Sequence, residues 1–132
     1  MDLKALVNNQ KAFFDSGRTK DISYRKRQLD ILRREIADNR EKILTALQQD
    51  LSKSAYEGYL TEVGIVLDEI RFVKKRLAKW SKPRRVRTNL FLLPAASFRY
   101  AEPYGVVLIV SPWNYPFQLV IGPLIGSMAA GN

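Results

Sequence analysis

In 132 residues the chain carries 22 Lys and Arg against 13 Asp and Glu, a net charge of +9, with no cysteine and no histidine. The length allows one domain with a modest core. The missing residue types exclude disulfides, thiolate and imidazole metal sites, and a cysteine nucleophile or histidine base from within these residues.

The excess of cations sits in one place. Arg71, Lys74, Lys75, Arg76, Lys79, Lys82, Arg84, Arg85 and Arg87 have no acid among them, and the thirteen cations elsewhere are matched by thirteen acids. A basic stripe can follow a phosphate backbone or an anionic membrane surface. It equally suits a solvated helix end, where cations complement the dipole, or a patch that meets an acidic surface on another part of a protein. In an otherwise neutral chain the second group of readings is favoured, so nucleic acid and membrane are not the expected partners. The N-terminus has an early acid, Asp2, and no apolar stretch of signal-peptide length, which with the absence of cysteine makes a cytoplasmic location the expectation.

The first half reads as helices. Leu3, Leu6, Val7 and Phe14 mark a first one, closed around Ser16-Gly17, where glycine suits a left-handed cap. A second begins near Ser23 with Ile22, Leu29, Leu32 and Ile36 on one stripe, punctuated by Asn39. Ile43, Leu44, Leu47 and Leu51 carry a third to about Ser52. Ser54 then caps a long segment through Tyr59, Val63, Val66, Ile70, Val73, Leu77 and Trp80, which Pro83 ends.

After Pro83 the period becomes extended. Asn89 to Leu93, a turn at Pro94-Ala95-Ala96, and Ser97 to Tyr100 predict a hairpin whose apolar tip could leave the body of the fold and pair with a partner's sheet edge, although an ordinary β-meander fits the residues equally well. A turn at Glu102-Pro103-Tyr104-Gly105 leads into Val106 to Val110, an apolar, β-branched run without alternation, as in a strand buried on both faces. Pro116 to Asn132 predicts a helix, with proline tolerated at its first position and Pro123 set to kink or restart it. Gly122 and Gly126 form a small-residue pair suited to close helix packing, and the three prolines from 112 to 123 break any span of bilayer length.

Strand, sharp turn and helix N-terminus together place Ser111-Pro112-Trp113-Asn114-Tyr115 at the carboxyl end of a sheet, where open α/β folds bind ligands and the first helical amides favour negative charge. The Asn114 carboxamide is a donor that cannot lose its proton, which suits an oxyanion; it could also cap the helix or bond its own turn. Trp113 reads as a site residue or a packing anchor, and Tyr115 as a site residue or one packed on the preceding loop. No metal site is expected.

The run from Glu102 to Pro116, with Tyr59-Leu60-Thr61-Glu62-Val63-Gly64, closely resembles the aldehyde dehydrogenase superfamily, in its class 3 or fatty-aldehyde branch. The resemblance covers essentially the whole chain, which looks like the front portion of a longer enzyme. It implies an α/β fold with N-terminal helices (1–83), a β-hairpin arm serving as a possible oligomerisation element (84–103), and the first strand-helix unit of an incomplete Rossmann-like cofactor domain (104–132). It further implies oxidation of aldehydes to carboxylic acids through a cysteine thiohemiacetal, with Asn114 as oxyanion donor. Ser111, Pro112 and Trp113 would lie along the nicotinamide half of NAD or NADP, Tyr115 at the mouth of the aldehyde channel, and the hairpin arm in a homodimer. The family's nucleophilic cysteine, general-base glutamate and ribose-binding lysine have no counterpart here. Gly126 and Gly131 match a phosphate loop only until Asn132 stands where lysine is required. The chain alone is therefore expected to be inactive, to bind cofactor weakly or not at all, and to associate through exposed apolar surface. Two other functions remain open from the residues: a non-catalytic module pairing with an intact subunit, and binding of nucleic acid or an anionic membrane through Arg71 to Arg87.

Overall fold

The computed structural model describes residues 2–132. Helix α1 (Leu3–Asp15) starts on Asp2, whose carboxylate accepts the amides of Lys4 and Ala5, and stops at Gly17, which takes φ +76° as a left-handed cap requires. None of its residues is buried, and Leu3, Leu6 and Val7 stay exposed. The apolar period made the helix legible, yet of its stripe only Phe14 is partly covered, beside Gly105.

A short 3₁₀ turn (Arg18–Lys20) leads to α2 (Ile22–Asp38), capped by Asp21 through the amides of Ser23 and Tyr24. Helix α3 (Arg40–Leu51) follows, and Ser52 at φ +55° turns the chain. Ser54 caps α4 (Ala55–Gly58) by accepting the Glu57 amide. The long helical segment expected through Trp80 is present with one irregularity, a π turn (Tyr59–Val63) between α4 and α5 (Gly64–Trp80).

The core lies where α5 meets α2 on one side and α6 (Gln118–Ala130) on the other. Leu29 and Ile36 of α2, Leu44 and Leu47 of α3, Val63, then Val66, Ile70, Val73 and Leu77 of α5 pack with Ile125 and Ala129 of α6. Each large side chain buried in this way contributes about 1.5–3 kcal/mol.

The hairpin forms, but with a different first strand. Strand β1 (Arg84–Val86) pairs antiparallel with β2 (Ser97–Arg99), Arg84 opposite Arg99 and Val86 opposite Ser97. The apolar Asn89 to Leu93 stretch is the tip, with a 3₁₀ turn at Leu90–Leu92 held by the Asn89 side chain. In a ribbon exposed on both faces, pairing register rather than burial selects the strand, so hydrophobicity misplaces it.

Val106 to Val110 also departs from expectation. β1 and β2 form the only sheet among the described residues, and Leu108 and Val110 are 87% and 83% exposed. The run has strand composition without ladder partners in this chain. Helix α6 begins at Gln118, two residues later than expected, with Pro116 in the turn before it. It passes through Pro123 as one helix. Gly126 faces open space instead of a packed neighbour, so close packing does not account for it.

Candidate active site

Ser111 to Tyr115 cross from the unpaired run into α6 as an irregular turn. Trp113 is 87% exposed, which removes the packing-anchor reading within this chain. Asn114 is exposed, and among the described residues its carboxamide makes no hydrogen bond; it neither caps α6 nor ties its own turn. Its main chain is held instead, because Lys53 Nζ donates to the Asn114 carbonyl at 3.1 Å.

Lys53 is buried in the short link between α3 and α4, and Glu62, fully buried, lies on the π turn. The two form an ion pair. A π turn departs from the regular helical period, and here Glu62 points toward the first turn of α6. Its Oε2 accepts the amides of Phe117 at 2.8 Å and Gln118 at 3.2 Å. A helix N-terminus leaves amides unsatisfied and favours negative charge, and a carboxylate answers both. The Lys53 ammonium also stands 3.9 Å from the centroid of the Tyr115 ring. One cation therefore touches a carboxylate, a carbonyl and an aromatic face, which uses its three donor directions.

This arrangement corrects one expectation. The first amides of α6 are not free to receive developing negative charge, since Glu62 already occupies two of them. Within the turn, Asn114 is the remaining uncommitted amide side chain.

The far end of α6 mirrors the first. Arg25 Nη1 donates to the carbonyls of Ala129 at 2.9 Å and Ala130 at 3.4 Å, and Nη2 to that of Lys20. Burial lowers the Arg25 pKa from its ordinary value, with Asp21 partly offsetting this. Anion at the N-terminus and cation at the C-terminus both match the helix dipole. Midway along, Glu69 of α5 faces Gly122 of α6, and burial pushes its carboxyl above the usual range.

Lys53 and Glu62 escaped the sequence reading, although Glu62 carried a signal. Steps of four and three from position 62 reach Val66, Ile70, Val73 and Leu77, so a carboxylate occupies the register of the buried stripe. A cavity of about 630 Å³ lies away from this turn, between α1, α2, residues 105–109 and the end of α6, and Ser111 to Tyr115 do not line it. Among the described residues no cluster of three or more acids could hold a metal ion, and no helix is long and apolar enough to cross a membrane.

Residues 1–132 match the family described as Aldehyde dehydrogenase family. The chain is 51% identical over 124 residues to the 4,4'-diaponeurosporen-aldehyde dehydrogenase of Staphylococcus aureus, covering 94% of this chain and 27% of that protein. It is 44% identical over 119 residues to aldehyde dehydrogenase family 3 member B1 of Bos taurus, covering 90% and 25% respectively. The solved structure titled "Substrate bound state of Staphylococcus Aureus AldH" matches the whole chain with a TM-score of 0.95 at 48% identity, over 29% of its own length. The chain thus spans between 25% and 29% of the length of these relatives.

Proposed function

This chain belongs to the aldehyde dehydrogenase family, and from that premise we propose that it is the N-terminal part of an NAD(P)-dependent enzyme that oxidises aldehydes to carboxylic acids, with Asn114 as the oxyanion donor. The observation that carries this reading is the condition of Asn114: its main chain is tethered by Lys53 while its carboxamide is exposed and unengaged among the described residues. A side chain needed only for the turn would be spent within it.

In this reading the nucleophilic cysteine belongs to polypeptide outside these 132 residues, which hold none. Its thiolate adds to the aldehyde carbon, the carbonyl oxygen takes up the electron pair, and Asn114 Nδ2–H donates to that oxygen while keeping its own proton. NAD or NADP, when bound, supplies the two-electron acceptor. The turn fits such a group: Pro112 and Trp113 are exposed, and among the described residues no backbone–backbone hydrogen bond engages Ser111, Pro112 or Trp113. Tyr115, partly exposed beside Lys53, is in this reading the residue assigned to the mouth of the aldehyde channel.

The unpaired Val106 to Val110 run supports a sheet completed by further polypeptide. The hairpin tip, with Phe91 95% exposed and Leu90, Leu92 and Leu93 open beside it, supports a homodimer contact through that arm. A cytoplasmic location completes the reading, since a chain without cysteine asks nothing of an oxidising compartment. NAD(P)-dependent aldehyde oxidation by the full-length enzyme that carries this segment tests the proposal. Wild type is expected to be active, Asn114→Ala to lose about 10²–10³-fold in kcat, and residues 1–132 alone to be inactive. Full activity of the Asn114→Ala enzyme would refute the role given to that residue.

A further inference from the structure

We propose that Lys53 and Glu62 are positioning residues for Asn114, a buried ion pair that positions the carboxamide by holding the main chain at the Asn114 carbonyl and at the first turn of α6 that follows it. The inference rests on the oxyanion reading above and adds to it the device that makes an exposed loop residue usable.

Asn114 lies outside any helix or strand, and its side chain gains no orientation from packing. The backbone therefore sets where the side chain starts and which rotamers can reach a bound oxygen. That backbone is fixed at its own carbonyl by Lys53 Nζ at 3.1 Å, and three and four residues on by Glu62 Oε2 at the amides of Phe117 and Gln118. The two anchors are themselves paired, Lys53 with Glu62 Oε1, so they cannot drift independently. Both sit within the folded body, Glu62 among the core residues Val63 and Val66. The Tyr115 ring rests against the same ammonium, which fixes the residue next to Asn114 as well. Rigid support of this kind matters for an oxyanion donor, because displacement of a catalytic group by about 1 Å can cost about 10²-fold in rate.

A merely structural ion pair makes a different prediction. It would be felt in folding, with no special connection to Asn114. Removing one charge alone would leave its partner buried and unpaired, so the informative variant removes both: Lys53→Met with Glu62→Gln, in which the carboxamide oxygen introduced at position 62 can still accept an amide of α6. In the full-length enzyme, kcat for aldehyde oxidation is compared among wild type, the paired variant, Asn114→Ala and the triple variant, with KM for the nicotinamide cofactor and the melting temperature measured on each. Lys53→Arg, which keeps the cation but shifts its donors, is run in parallel, alone and with Asn114→Ala, and supplies the same comparison if the paired variant does not accumulate.

The expected result is a fall in kcat of about 10–100-fold for the paired variant, with cofactor KM within about twofold of wild type. Adding Asn114→Ala should cost much less in that background than in wild type, as coupled residues are non-additive. Two outcomes overturn the inference while leaving the proposed function intact: Asn114→Ala impairs the enzyme but the variants at 53 and 62 keep kcat within about twofold of wild type, or their losses simply multiply with that of Asn114→Ala. If Asn114→Ala itself has no effect, the oxyanion reading fails first and this inference with it.

Discussion

Two carboxyl groups in this chain are shifted in opposite directions, and they give opposite dependences on pH. Asp21 is held below the usual carboxylate range first by the Ser23 hydroxyl, then by the amides of Ser23 and Tyr24. A depressed pKa favours the folded state above the unfolded pKa, and the contribution is lost as pH falls through the folded value. Replacement of Asp21 by Ala should therefore lower the melting temperature at neutral pH and have progressively less effect in acid. Glu69 is raised by burial, so its ionisation opposes folding as pH rises from the unfolded pKa through the folded one. For Glu69→Gln the melting temperature should rise at neutral pH, with no gain where the carboxyl is protonated in both states. Parallel thermal melts of the two variants across the acid range check both signs. Glu62 is different in kind, because it is fully buried and pairs with one cation and two amides. Loss of its side chain in Glu62→Ala leaves Lys53 and the α6 amides unsatisfied and should cost about 3–5 kcal/mol in denaturant unfolding.

At the scale of elements, α6 shows how a helix with apolar residues all round is given one orientation. Its position depends on Ile125 and Ala129 in the core, Glu62 at one end and Arg25 at the other. Ile125→Ala should cost about 2–5 kcal/mol. Gly131 closes the helix at φ +94°, donating to the carbonyls of Ser127 and Met128, and an added Cβ would come within 2.9 Å of the Thr19 carbonyl oxygen. Gly131→Ala should therefore unseat the α6 end from the α1–α2 junction, seen as faster amide exchange there, since both the dihedral and the space forbid a side chain. The helices were legible in the sequence because caps and apolar period act locally: Gly17, Asn39 and Ser54 mark ends that the fold uses. Asn114 stands out in the sequence as a polar residue in a turn between two proline-marked boundaries, while the role proposed for it comes from the resemblance. Lys53 and Glu62 were not, because their partners at 114, 117 and 118 lie more than fifty residues away and only tertiary structure brings them together. The first hairpin strand was misplaced because cationic Arg84 and Arg85, rather than the apolar run, make the pairing.

For the molecule as a whole, much apolar surface lacks a covering. Leu3, Leu6 and Val7 of α1, the 630 Å³ cavity lined by Phe13, Phe14, Val106 and Ile109, and the exposed Val107, Leu108 and Val110 contribute to it. An isolated protein seldom leaves so much apolar surface open. Purified alone, residues 1–132 should self-associate, and Leu108→Lys with Val110→Lys should shift the population toward monomer in light scattering. The cationic stripe behaves otherwise. Its members divide between α5 and the hairpin, Lys74 pairs with Asp30, Arg71 with Asp68, and Arg76 stacks over Phe72. Weak nucleic-acid association with little salt dependence is the expected readout in a titration; a steep loss of affinity with salt would favour a true phosphate-binding face.

The π turn has a consequence for exchanging parts between related proteins. In a regular helix each residue advances about 100°, so deleting one residue between Tyr59 and Thr61 would reset the angular phase on one side of the gap. Either Glu62 would swing off the α6 amides, or Gly58 would lose its fit against Leu44 and Leu47. A graft that swaps the Pro-Trp-Asn loop should therefore carry residues 53–64 together with 114–118. They are far apart along the chain but are joined by contact into a single block.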